Sequence, residues 1–252
     1  MMWARKMFSW FASISILLGV VAFSATRNVH ATAGHPNSHL FTLSGILSAS
    51  GYATCIMATM LTATLNRDRE HLAYMWTRPM RRERIAFSYM IIDVATIVLA
   101  YVVIALLLIV VVQSIPLMHL KVDPNASVSA VRFLSIPLMW YGLVEAATSW
   151  NKVKGSAAAG VSWAVFWILL LALAIPLPSP LHALLDAANF LNPLAYFVTQ
   201  RGDSIIVDPV TLSEVTANHV IPLAYGAQTI LSYAIFLTGC IVAAFAWRRM
   251  EA

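Results

Sequence analysis

AFSYMIIDVATIVLAYVVIALLLIVVV, residues 86–112, decides the fold of this chain. Asp93 is the one charged residue in the run. Wound as an α-helix at ~1.5 Å per residue, the run reaches roughly 40 Å, beyond the ~30 Å hydrocarbon core of a bilayer. Hydrocarbon offers no partner to a backbone N–H or C=O, so a crossing segment must satisfy those groups internally, as a helix does. The run also lacks the alternation of apolar and polar residues that marks a strand of a membrane β-barrel. It reads as a transmembrane helix.

Five other apolar runs flank it, at residues 8–25, 40–65, 131–150, 157–176 and 221–247. Over the 252 residues, hydrophobic side chains make up 60% and charged ones 11%, against about 45–50% and about 25% in soluble proteins. The expectation is an all-α integral membrane protein, a single domain over residues 1–252 with six transmembrane helices. None of the connections is long enough to fold alone. Arg5, Lys6, the first apolar run and Val29-His30-Ala31 also resemble a cleavable secretory signal, but the run is long for one and a first span is preferred.

The charges orient the chain, because Lys and Arg accumulate in cytoplasmic connections. One set of ends and connections carries Arg5, Lys6, Arg67, Arg69, Arg78, Arg81, Arg82, Arg84, Lys152, Lys154, Arg248 and Arg249. The other carries Arg27, Lys121, Arg132 and Arg201. This split of twelve against four places both termini in the cytoplasm. Trp10, Trp150 and Trp247 then stand at inner ends of spans, where amphipathic rings anchor. The net charge of +5 is used in this way in short connections, and no nucleic-acid partner is expected.

Turn signals mark two outer connections: Gly34, Pro36 and Asn37 after span one, and Pro116 with Asp123-Pro124-Asn125 after span three. Residues 151–156 form a tight inner hairpin. The outer stretch 177–220 is not uniformly polar. Leu181, Leu184, Leu185, Ala188 and Leu191 have helical spacing, and Asn192-Pro193 ends the pattern. A short helix is expected there before span six, either re-entrant into the membrane or flat on the outer leaflet.

Catalytic and cofactor motifs are missing. The chain has no GxxxxGK[ST] phosphate loop, no HExxH and no GxSxG. Cys55 and Cys240 lie in apolar runs and read as small packing residues. His30, His35 and His39 cluster near the first outer connection, but no carboxylate or thiolate accompanies them, and no metal site is expected. Asn125-Ala126-Ser127 has the form of a glycosylation sequon, which identifies no function by itself. The chain is therefore not expected to be an enzyme or to bind a cofactor.

The inner segment NRDREHLAYMWTRPMRRERI, residues 66–85, carries the most specific signal. Leu72, Met75, Trp76 and Met80 can form an apolar stripe, and Pro79 turns or breaks the helix. Simple positive-inside anchoring explains the arginines, but not their mixture with Glu70, Trp76, Thr77 and Pro79. The segment resembles the inner connection of ABC transporter permeases of the type-2 exporter class. In those proteins an acidic and basic helix after span two leads through a Ser/Thr–x–Pro–hydrophobic–Ser–Arg element into span three. Glu70, Thr77, Pro79, Met80, Arg82 and Ile85 fit that pattern. His71-Leu72 replaces the usual Gly-Thr, and Arg81 stands where Ser is common. The likeness covers the whole chain in layout and about twenty residues in motif.

The resemblance implies the membrane-spanning subunit of an ATP-driven exporter in a prokaryotic cytoplasmic membrane. A second copy or a homologous permease would complete the pathway. Separate ABC-type ATPase subunits would bind the ATP and magnesium. Glu70, His71, Trp76, Thr77, Arg78, Pro79, Arg81 and Arg82 would form a short interfacial coupling helix, and Asn151, Lys152 and Lys154 a second contact. Two acids fall within spans, Asp93 and Glu145. Charges there are costly and face protein or water. They are read either as structural, paired with inner-side Arg or Lys or with helix ends, or as pathway groups contacting substrate or protons. The acids also support a rival function, a gradient-driven carrier. A non-transporting membrane anchor for a cytoplasmic complex is a third reading. An intramembrane enzyme would need a nucleophile or metal cluster at matched depth, and the spans show none.

Overall fold

The computed structural model describes residues 39–65, 82–114, 118–151, 155–173, 175, 178–198, 205–207, 214–216, 221 and 223–249. These residues are mostly helical. Helices α1 (Leu43–Leu65), α2 (Arg82–Ser114), α3 (Ala126–Asn151), α4 (Gly155–Ala172) and α7 (Tyr225–Arg249) coincide with five of the six apolar runs. Two shorter helices, α5 (Ser179–Asn189) and α6 (Pro193–Val198), stand between α4 and α7. The run at 8–25, the terminal tails and residues 66–81 lie outside the described residues.

Three helices contain segments long and apolar enough to cross a membrane: Ala86–Ser114, Ala126–Ser149 and Tyr225–Ala246. Shorter apolar segments occupy Leu43–Thr59 and Gly160–Ala172. Their outer faces are apolar too. Helix α2 buries Met90, Ile97, Tyr101, Ile104 and Leu108 while exposing Ile91, Ile92, Leu99, Leu106 and Val110. A helix apolar all round needs a nonpolar solvent on its open side. This distribution is that of a membrane-embedded protein.

Side-chain contacts fix the helix directions. Ser44 bonds Ser129, Arg132 bonds Gln228, and Gly142 meets Gly239, so α1, α3 and α7 run the same way. Tyr141 bonds Asp93, Trp140 bonds Ser162, and Trp163 bonds Thr59, so α2 and α4 run the opposite way. Helix α3 is the axis, with 56% of its spanning window buried against 33% for α2 and for α7.

Two backbone features let neighbours close on that axis. Pro137 lies inside α3 and supplies no N–H to the carbonyl of Phe133, one turn earlier. Gly51 of α1 packs there, where an added Cβ would sit 2.8 Å from the Phe133 oxygen. On the other side, a Cβ on Gly239 would lie 2.4 Å from the Gly142 oxygen. Helix α4 is held through aromatic contacts. Trp140 and Trp163 approach to 4.3 Å between ring centroids, and Phe166 meets Trp140 edge-on at 5.1 Å.

The structure departs from an all-helical chain in two small sheets. Strand β1 (His39–Thr42) pairs in parallel with β2 (Met118–Lys121), aligning His39 with Met118 and Thr42 with Lys121. Strand β3 (Ile205–Val207) pairs antiparallel with β4 (Glu214–Thr216). Residues 40–42, expected at the start of the second span, are thus strand. The first turn of α1 explains the boundary: Gly45 N–H donates to the Thr42 hydroxyl at 3.2 Å, a side-chain cap on one of the orphan amides of a helix start. Ser44 N–H points at the Asp123 carboxylate, at 3.3 and 3.5 Å to its two oxygens. The Ser44 side chain foremost holds the Asp123 carboxyl below its ordinary range; burial opposes it, and backbone N–H groups including that of Ser44 add to the lowering.

The amphipathic stretch before the last span forms the helix expected from its spacing, α5. Leu181, Leu184 and Leu191 are exposed, and Leu185 and Ala188 half-buried. It packs on the end of α4 through two buried asparagines. Asn189 Nδ2 donates to Leu185 O at 3.0 Å and, at 3.4 Å, to Leu169 O. That last carbonyl lies in the final turn of α4, where intrahelical partners run out. Asn192 Nδ2 donates to Phe166 O and to Asn189 Oδ1, both at 2.9 Å. Its Oδ1 accepts from Leu194 N–H at 3.1 Å, so Asn192 caps α6 with Pro193 in the first helical position.

Candidate functional site

Asp93 and Glu145, far apart in sequence, both lie buried near the junction of α2, α3 and α7, linked through Tyr141. Asp93 is 4% exposed and Glu145 2%. Tyr141 precedes Glu145 by four residues on α3, so the two share a helix face. The Tyr141 hydroxyl, fully buried, donates to Asp93 Oδ2 at 2.9 Å and ties α2 to α3. Ser149, one turn past Glu145, donates to Glu145 Oε1 at 3.4 Å. Glu145 Oε2 is buried and has no hydrogen-bond partner among the described residues. The two carboxyls lie within electrostatic range of each other, and Cys240 of α7 lies within range of Glu145.

The walls of this cluster are apolar. Ala58, Ile97, Leu138 and Tyr141 pack together, with Val94, Phe236 and Cys240 against them. Ala86, Met90 and Ala243 close the side beyond Cys240. The Gly142–Gly239 contact borders the cluster and brings α7 close to it. Among the described residues no Lys or Arg pairs with either acid. His182 Nδ1 contacts Asp186 Oδ2 at 3.2 Å on the open face of α5, away from this cluster.

A second polar centre lies at the other end of α3. Arg132 was expected in an outer connection, but α3 begins at Ala126 and takes the residue inside the bundle, 8% exposed. Its Nη2 donates to Tyr196 O at 3.0 Å and to Gln228 Oε1 at 3.2 Å. Its guanidinium stands 3.8 Å from the centroid of the Tyr225 ring. Gln228 passes the contact on through Nε2 to Leu223 O at 2.8 Å. Arg132 thereby joins α3, α6 and α7 with a desolvated charge on an aromatic face, an arrangement that suits guanidinium better than ammonium.

Of the residues singled out from sequence, Asp93 and Glu145 are therefore brought together. Glu70, His71, Trp76, Thr77, Arg78, Pro79 and Arg81 lie outside the described residues, as do Lys152 and Lys154. Arg82 opens α2 and Asn151 ends α3. Both therefore stand at the same end of the bundle, the end opposite the β1–β2 sheet. Sequence reasoning passed over Tyr141, Ser149 and Gln228. The four-residue spacings of Tyr141–Glu145 and Glu145–Ser149 were available as a signal for the first two; nothing in the sequence pairs Gln228 with Arg132. Among the described residues, no group of three or more His, Cys, Asp or Glu could hold a metal ion. Compared with known proteins, the chain matches no protein-family model, no curated protein and no solved structure.

Proposed function

We propose that this chain is the membrane-spanning permease subunit of an ATP-driven exporter, a six-span protein with cytoplasmic termini in a prokaryotic plasma membrane. The observation that carries the reading is the common placement of the two inner connections. The alternating helix directions make the segment between α1 and α2 and the segment between α3 and α4 leave from one end of the bundle. That end bears Arg82 and Arg84, and the first segment carries the Glu70, Thr77 and Pro79 pattern. Two basic connections that leave the same end of the bundle suit docking into the clefts of an ATPase pair. The α5–α6 hairpin packed at the opposite end also fits the permease layout.

In this function the chain is not itself catalytic and holds no cofactor. ATP and magnesium belong to the partner ATPase, and a second permease copy or a homologue completes the pathway. ATP binding favours one arrangement of the ATPase pair, and the coupling segment transmits that rigid-body movement to the spans. Purification in gentle detergent from the native host, with mass spectrometry of what accompanies the chain, tests this. A stoichiometric ABC-type ATPase supports it. A preparation free of any ATPase, repeated in a milder detergent, refutes it. The buried pair of Asp93 and Glu145 would then favour a gradient-driven carrier, checked by transport in vesicles lacking an ATPase.

A further inference from the structure

We infer that Asp93 and Glu145 form a proton-binding site, which takes up one proton between them at the junction of α2, α3 and α7. Each carboxyl receives one hydroxyl hydrogen, from Tyr141 and Ser149 respectively. Glu145 Oε2 is left buried without a hydrogen-bond partner among the described residues. Two ionised carboxylates within electrostatic range of each other, one on α2 and one a turn past Tyr141 on α3, repel in a low-dielectric setting and lack the solvent that stabilises charge. Compensating positive charge is needed, and no described side chain supplies it.

The surrounding groups establish that. Helix α1 contributes Ala58, and α7 contributes Cys240 and, nearer its start, Tyr233. Helix α2 adds Tyr89, and α3 adds Tyr141, Thr148 and Ser149. All of these are neutral hydroxyl, thiol or apolar groups. Arg84 is exposed and precedes Asp93 by nine residues, about 14 Å along the axis of α2. Arg132 stands thirteen residues before Glu145, about 20 Å along α3, and is bonded to Tyr196 and Gln228. A proton needs only one basic oxygen, which Glu145 Oε2 offers. A metal ion asks for a fuller set of ligands than these residues provide.

The step is a simple addition. A hydronium ion gives its proton to a carboxylate oxygen, and water leaves. The charge of the pair falls from two negative units to one. Because the Tyr141–Asp93 bond spans α2 and α3, occupancy of the site bears directly on how these helices are held. The inference rests on the membrane-embedded bundle and not on the ATPase, and it deepens the carrier alternative without requiring it.

The test is an infrared pH titration of the full-length chain in lipid nanodiscs, in sodium- and potassium-free buffer. One protonated-carboxyl band is expected to rise on acidification in wild-type protein. Asp93→Asn and Glu145→Gln should each displace its midpoint by about one pH unit or more, a tenfold change in proton affinity. Tyr141→Phe keeps both acids and the ring. It should displace the midpoint as well, and it carries the test if an acid variant fails to fold. Identical midpoints in all folded variants would overturn the proposal. So would loss of the band on adding sodium or potassium at constant pH, which would mark a cation site. Since the titration needs no partner, it stands or falls separately from the purification experiment.

Discussion

Replacing Gly239 by Ala should separate α7 from α3. The added Cβ would lie 2.4 Å from the oxygen of Gly142, 2.5 Å from its carbonyl carbon and 3.0 Å from its Cα. Carbon and oxygen atoms on packed helices approach to about 3.3 Å, so the crossing must open by roughly 0.9 Å. Both sides of the contact are backbone, and no rotamer change relieves it. Overpacking of this kind costs about 1–3 kcal/mol, and a gap of that width forfeits a quarter to a half of the dispersion energy along the seam. The better helix propensity of Ala returns at most about 1 kcal/mol. The net expectation is a loss of about 1–2 kcal/mol, or roughly 5–30-fold in the folded-to-unfolded ratio. Gly160→Ala is the matched control, because a Cβ there meets nothing within 4 Å. It should be neutral or stabilise by up to about 1 kcal/mol. Reversible unfolding in mixed micelles, followed by tryptophan fluorescence, reads both variants. Equal stability of Gly239→Ala and wild type, or a gain like that of Gly160→Ala, would refute the close crossing. Combining Gly142→Ala with Gly239→Ala should cost less than the sum, since both open the same contact.

Arg132→Met should destabilise the fold by about 2–4 kcal/mol by stranding Tyr196 O and Gln228, and Arg132→Lys by less; the same unfolding assay measures both. Asn192→Ala removes an N-cap and the bond to Phe166 O, so it should cost about 1–2 kcal/mol and speed amide exchange in α6 while leaving α2 unchanged. Asp123 accepts from Ser44 as a carboxylate, and its folded pKa is lowered. Its stabilisation is therefore present above the unfolded value of about 3.9 and lost as pH falls through the lower folded value. At this exposed helix start it amounts to about 0.3–1 kcal/mol. Asp123→Asn should thus lie below wild type at neutral pH and converge with it in strong acid. Reversing two bases, Arg78→Glu with Arg82→Glu, should reduce ATPase retention in affinity purification and ATP hydrolysis stimulated by the chain; unchanged values would remove residues 66–85 from the interface.

Much of the architecture is legible in the residues because lipid leaves the backbone few options. A run such as 86–112 must be helical wherever it sits, and α2, α3 and α7 follow the runs closely. Helix α5 was readable from the Leu181–Leu184–Leu185–Ala188 spacing, but Asn192-Pro193, read as the end of that pattern, instead caps and opens a second helix, α6, a few residues past the end of α5. Boundaries were less so. Residues 40–42 are apolar enough to join a span, but the Thr42 cap and the pairing of β1 with β2 take them out of the helix. Arg132 was counted with the outer connections although it falls at the start of the run 131–150; inside the bundle the Tyr225 ring, Tyr196 O and Gln228 lower the cost of burying its charge, and all three come from distant parts of the chain.

Local sequence therefore determined the membrane-embedded helical class, the approximate spans and the spacing of Tyr141, Glu145 and Ser149 along one helix. These follow from hydrocarbon thickness and helical repeat, which act on neighbours in the chain. Only the tertiary structure decided that Asp93 lies against Tyr141, that Arg132 is enclosed, and that Gly142 faces Gly239. Every face of these helices is apolar, so hydrophobicity does not say which face turns inward. Small residues, a proline-freed carbonyl and a few buried hydrogen bonds select the packing, and they act between residues about fifty to a hundred positions apart.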